Sequence, residues 1–304
     1  MAEGSSKTAV YAALAGNVLV AVTKVVAAVI TGSSAMASEA VHSTVDTGNE
    51  LLLLYGQHRA AKPADEAHPL GHGRELYFWS FIVAVLVFAL GAGVSIYEGV
   101  QHVRHPAPIT DVKINFIVLG LAFVFEAGSS WFSFRDFRKT KGERGWWQAV
   151  RQSKDPVGFT VLVENAAALV GILIAALGTW GAVAVGEPRL DGTASILIGL
   201  LLAGVAVLLA GESKGLLIGE RADPAVAEAL RKAVAEVPGV RSTARVLTVQ
   251  LAPDQIFAIL SLEFDDGLRI PEVERLIARL EDSIKDAQPQ VIRVFIRPEP
   301  TSRC

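Results

Sequence analysis

Residues 33–46 read Ser-Ser-Ala-Met-Ala-Ser-Glu-Ala-Val-His-Ser-Thr-Val-Asp, and the chain continues through Leu51–Leu54 to Tyr55-Gly56. About 20 such residues are enough for a helix to cross a bilayer, which puts a membrane span at roughly 34–56. That span carries Glu39, His42 and Asp46. An ionisable group at membrane depth costs about 2.5–3.5 kcal/mol on insertion, so three of them demand a reason. Their spacing stacks all three on one helical face, which belongs against a protein interior rather than lipid. An imidazole nitrogen and a carboxylate oxygen one turn apart, as in His42 and Asp46, can converge on one divalent ion. Glu39 should lie nearer the outer face, where an entrance or exit role competes with simple hydration.

Five further spans can be drawn around this one, at roughly 8–31, 77–102, 112–134, 156–182 and 192–211. The first reads as a transmembrane helix rather than a cleavable signal because it is long enough to span. The connection 135–154 carries Arg135, Arg138, Lys139, Lys141, Arg144, Arg151 and Lys154, and the connection 57–76 carries Arg59, Lys62 and Arg74. Positive charge marks the cytoplasmic side, so these loops and both termini are expected there, most simply at the cell membrane. Trp146 and Trp147 suit either a short interfacial helix or an ordinary surface loop. Gly91 and Gly93 suggest close helix packing.

Composition agrees with this division. The 304 residues are 51% hydrophobic, with a mean hydropathy of +0.41, more apolar than one soluble core needs. The apolar runs stop near residue 212, which predicts a transmembrane domain over 1–212 and a soluble domain over 213–304. In the latter, Asp223-Pro224 opens a helix. Strands follow at 245–251 and 256–264 across the turn Pro253-Asp254, then a helix at about 271–286 and a strand at 291–297. The expected fold class is therefore an α-helical membrane protein of six transmembrane helices with a C-terminal cytoplasmic α+β domain of order αββαβ. A net charge of −3 and a pI near 6.1 argue against a nucleic-acid partner. Cys304 is the only cysteine, so an intrachain metal site must use His, Asp, Glu or backbone oxygen.

The fifth span supplies Glu164 and Asn165 in an otherwise apolar run. Helix rise puts Asp46 roughly 15 Å and Glu164 roughly 12 Å from the cytoplasmic ends of their helices, so they can meet near mid-membrane. The competing reading is a self-satisfied His–Asp pair and a lone Glu bonded to neighbouring helices. Glu126 in the fourth span suits a structural or a proton-relay role. In the loop Pro-Ala-Asp-Glu-Ala-His-Pro-Leu-Gly-His-Gly-Arg, Asp65, His68 and His72 place three candidate ligands within eight residues, which fits a peripheral metal site or a solvated loop. His58, His102 and His105 receive no role.

The segment 33–46, the following His68-Pro-Leu-Gly-His72-Gly-Arg and the order of the two domains together resemble the cation diffusion facilitators. The resemblance implies a proton-coupled exporter of divalent metal, with zinc foremost and manganese, iron or cobalt as alternatives. It implies no resident cofactor, because metal is the cargo and H+ the coupling ion, and it implies a homodimer held by the C-terminal domain. It carries His42 and Asp46 onto the second-helix half of the family's tetrahedral transport site. On the fifth helix Glu164 takes the carboxylate position, Thr160 stands where the usual histidine would be, and Asn165 or water is left as the fourth ligand. Arg74 and Glu220 fall where the family has an interlocking ion pair. In the C-terminal domain Arg245, Ser261, Glu274 and Arg297 stand where ligating histidines often occur, so no metal cluster is expected there. A metalloenzyme or a metal-responsive scaffold built on the same residues would be separated from a transporter by metal uptake into sealed proteoliposomes.

Overall fold

A computed structural model describes residues 2–143, 145–235 and 237–299, and for residues 2–13, 15 and 140 the backbone only. Cys304 and Arg144 lie outside the described residues. The chain divides into two compact units, Met1–His58, Phe78–Arg151 and Pro156–Ser213 forming one, and Arg59–Tyr77, Gln152–Asp155 and Lys214–Cys304 the other. The second unit thus also takes in two short connections that chain order alone assigns to the first.

The first unit is built from long helices: α1 (Ala2–Thr31), α2 (Ser34–Ala60), α3 (Glu75–Arg104), α4 (Val112–Lys141), α6 (Pro156–Val185) and α7 (Arg189–Ile218), with a short α5 (Trp146–Gln152). Four of these, α3, α4, α6 and α7, are long and apolar enough to cross a membrane. In α1 the described apolar stretch is the shorter Gly16–Thr31. α2 is too polar to meet the same criterion, and its polar residues are turned inward: Ser38, Glu39, His42, Ser43 and Asn49 are buried. Outward-facing Val29, Ile117, Val124, Phe132, Leu177 and Val207 are more than 60% exposed, an apolar exterior suited to lipid. Ala35, Met36, Val87, Ile172, Ile198 and Leu202 fill the interior.

The sequence expectation of close packing at Gly91 and Gly93 holds for one of them. A methyl group at Gly91 would stand 3.3 Å from Leu202, whereas Gly93 meets only a carbonyl of its own helix. A tighter approach of α3 to α7 lies further along, at Gly99, where an added Cβ would be 2.7 Å from the Gly192 carbonyl and from Ile196. Within α3, Val87–Ala92 is a π-helical turn. The N-terminus of α2 is capped from another helix: Asp191 of α7, fully buried, accepts hydrogen bonds from the Ser33 hydroxyl (2.8 Å) and the Ala35 amide (3.1 Å). Trp146 stacks on Phe134 with ring centroids 4.6 Å apart, and this packing secures α5, the helical of the two readings for that stretch.

In the second unit α8 (Pro224–Ala235), β1 (Val240–Ala252), β2 (Gln255–Phe264), α9 (Ile270–Ala287) and β3 (Val291–Pro298) follow the expected order. β1 pairs antiparallel with β2, and β2 parallel with β3. Alternate residues Ile256, Ala258, Leu260 and Leu262 of β2 point to one face, where Val226, Leu230 and Val234 of α8 and Leu276, Leu280 and Ile284 of α9 cover them. Leu247 and Phe295 stay 47% and 60% exposed, and Phe257 lies edge-on to Phe295.

Candidate metal centre

The helical period of α2 sets His42, Asp46, Asn49 and Glu50 along one side. His42 Nδ1 lies 3.3 Å from Asp46 Oδ1. A carboxylate beside Nδ1 favours the proton on that nitrogen, and His42 Nε2 is buried with no hydrogen-bond partner, so its lone pair is free for a cation. Glu164, 6% exposed, faces α2 from α6 and accepts a hydrogen bond from Asn49 Nδ2 at 2.7 Å. Thr160, one turn before Glu164, is fully buried and its hydroxyl is also unpartnered.

Between these helices lies a cavity of about 20 Å³, lined by Asn17, Ser43, Asp46, Glu50, Glu126 and Glu164, with Asn165 and Val161 completing the wall. That is room for about one water-sized centre. Four carboxylates therefore converge on a space fit for one ion, with the His42 imidazole beside Asp46. Asp46 and Glu164, matched in depth by helix rise, line this one cavity, and Glu126 belongs to the same wall. Asn165 is turned toward α4, where its amide donates to the Ser133 hydroxyl at 3.1 Å and the Ser129 hydroxyl at 3.3 Å.

Glu39 does not reach the cavity wall. It is fully buried and paired with Lys24 of α1, equally buried, at 3.0 Å, and Lys24 also donates to Ser43 at 2.7 Å. Of the two roles weighed for Glu39, simple hydration does not hold, because the carboxylate is buried in an internal ion pair. Gly171 of α6 packs so closely on the Glu39 carboxylate that a Cβ there would clash.

Sequence reasoning missed Lys24, Asn49 and Glu50. The last two were within reach, because they continue the stripe of α2 at three and four residues past Asp46. Lys24 carries no such signal: its partner comes from a different helix.

In the second unit, Asp65 Oδ1 lies 3.1 Å from His68 Nδ1 and Asp65 Oδ2 lies 3.0 Å from His72 Nε2. One ligand atom from each of the three residues falls within 4.8 Å of the others. The hydrogen bonds from His72 and from the His68 backbone amide hold the Asp65 carboxyl down at about 2. Glu220, expected opposite Arg74, takes Lys154 as its ion-pair partner, and the Arg74 guanidinium lies beside Gly219. Lys154 reaches Glu220 from a connection distant in sequence, which chain order could not reveal. On the sheet, Arg245, Ser261 and Arg297 fall in register on β1, β2 and β3, so two guanidinium-bearing residues flank the strand position between them.

Residues 10–218 match the family model of the cation efflux transmembrane domain, and residues 222–301 match that of the cation efflux protein cytoplasmic domain. Among curated relatives, the mitochondrial proton-coupled zinc antiporter SLC30A9 of Xenopus laevis is 32% identical over 80% of this chain and 44% of its own length. Metal tolerance protein C4 of Arabidopsis thaliana is 32% identical over 72% of this chain and 48% of its own length. The cation-efflux pump FieF of Serratia proteamaculans is 26% identical over 97% of this chain and 93% of its own length. The chain thus spans about half the length of the two eukaryotic relatives.

Proposed function

This chain belongs to the cation efflux family, the cation diffusion facilitators, and on that premise we propose that it carries a divalent metal ion, zinc foremost, across a membrane in exchange for protons. The observation that carries the reading is the cavity lined by Asp46, Glu126 and Glu164, with His42 held beside Asp46 through Nδ1 and its Nε2 unpartnered. His42, Asp46 and Glu164 supply one nitrogen and two carboxylates, and Thr160, Asn165 or water completes a tetrahedral set. A relative named as a proton-coupled zinc antiporter supports the same cargo and coupling ion.

The coupling follows from the donors themselves. An imidazole nitrogen binds either a proton or a metal, and a carboxylate loses charge when protonated, so proton arrival on the far side favours metal release. No metal chemistry occurs beyond ligand exchange, and the protein is a secondary transporter rather than an enzyme. We place its termini and basic loops in the cytoplasm, where Arg135, Arg138, Lys139 and Arg151 satisfy the charge bias of membrane insertion, and we propose the cell membrane as its site. The exposed apolar face around Leu247 and Phe295 supports a homodimer through the C-terminal domain.

The excess of carboxylates over nitrogen donors favours a second reading, in which manganese, iron or cobalt is carried as well as zinc, since oxygen-rich sites are less tied to zinc. Purified protein in sealed liposomes, assayed for uptake across a metal panel with an imposed pH gradient, tests both. Uptake of none of these metals refutes the transporter reading.

A further inference from the structure

A second cavity, of about 270 Å³, lies between α1, α2 and α6. Its wall starts at exposed Gln57 near the carboxyl end of α2 and Val157 in the first turn of α6, and runs inward past Leu14, Leu53 and Leu54. Two residues, Glu50 and Val161, line both this cavity and the small one that holds Asp46 and Glu164. Among the described residues that line the larger space, Glu50 is the only polar group apart from Gln57 at its outer end. Asn17 of α1 fixes it there, donating from Nδ2 to Glu50 Oε1 at 2.5 Å.

We propose that Glu50 is the receiving carboxylate of the transport path, the group that takes a divalent cation from the larger cavity and passes it to Asp46. A cation moving inward along apolar walls sheds water without compensation until it meets an anionic oxygen, and Glu50 is the first one on this route. Asp46 follows one turn further along α2, about 6 Å on. The inner cavity has room for about one water-sized centre, so Glu50 and Asp46 serve the same ion in succession rather than two ions at once. A carboxylate at the junction concentrates cations at the mouth of the inner site and speeds capture, while the affinity of the final site stays with His42, Asp46 and Glu164.

This inference rests on the reading of the protein as a transporter, and its test separates the two. Full-length wild type, Glu50→Gln and Glu50→Asp are reconstituted in liposomes, initial zinc uptake is measured against zinc concentration, and equilibrium zinc affinity is measured separately in detergent. Glu50→Gln should lower kcat/KM about tenfold or more, mainly through KM, while the equilibrium Kd rises by a clearly smaller factor, and Glu50→Asp should recover most of the loss. An unchanged KM overturns the proposal. Equal loss of kcat and of equilibrium affinity also overturns it, by making Glu50 a ligand of the final site. If Glu50→Gln does not accumulate, Asn17→Ala keeps the carboxylate but removes its anchor; it should raise KM in the same direction, and an unchanged KM there overturns the proposal. Wild-type protein that takes up no metal refutes the transporter reading instead.

Discussion

Asn49→Leu removes the donor that holds Glu164 while keeping the same branched side-chain skeleton. Asn49 is 1% exposed and its Nδ2 lies 2.7 Å from Glu164 Oε1, so no solvent is available to replace the bond. A hydrogen bond to a charged group contributes about 1.5–3 kcal/mol. At about 1.4 kcal/mol per decade, that is about a ten- to hundredfold loss if the bond is needed to orient Glu164 toward the metal. Removal of a partner that orients a metal ligand carries a similar cost, about 10–100-fold in affinity. The assay is competition for zinc between purified protein and a chromophoric chelator, with thermal unfolding as a check on the fold. A Kd within about twofold of wild type, in a protein that unfolds normally, would refute the idea that Asn49 positions a metal ligand, and with it the place of Glu164 in the site.

His42→Ala, Asp46→Ala and Glu164→Ala should each abolish uptake in liposomes while leaving the protein inserted, since each removes one ligand from a site of three or four; wild-type flux in Glu164→Ala removes α6 from the site. Asp65→Ala or His72→Ala should cost less, and a loss equal to that of His42→Ala would reverse the ranking of the two clusters. Acidifying the far compartment should accelerate zinc transport, because protons there compete for His42 and the carboxylates; a flux indifferent to the gradient favours uniport. For Asp65 the folded value is lowered to about 2 from the ordinary 3.8, so its contacts with His68 and His72 are fully present above the ordinary value and lost as pH falls through about 2. An Asp65 carboxyl resonance titrating near the ordinary value would show that those contacts do not form. Residues 213–304 contain no histidine, so isothermal titration with zinc should give no heat while sizing gives a dimer; submicromolar binding at a defined stoichiometry would overturn this.

The sequence by itself determined what depends on periodicity. Ionisable residues in an apolar run had to stack on one face of α2, and alternating apolar residues had to make β2 a strand with one covered face, because these patterns follow from 3.6 and 2 residues per repeat. The order of elements in the second unit followed from the same periods and from Asp223-Pro224 and Pro253-Asp254. Asp46 and Glu164 could be matched in depth because helix rise is constant. Only the tertiary structure decided which of these groups share a space and which cancel one another. Glu39 shares a face of α2 with His42, yet Lys24 arrives from α1 and neutralises it. Glu220 pairs with Lys154 rather than Arg74 for the same reason, a partner delivered from a distant connection. Glu50 becomes the junction of two cavities only when α1, α2 and α6 are packed together, since a cavity is a property of the gaps between helices and no single helix encodes it.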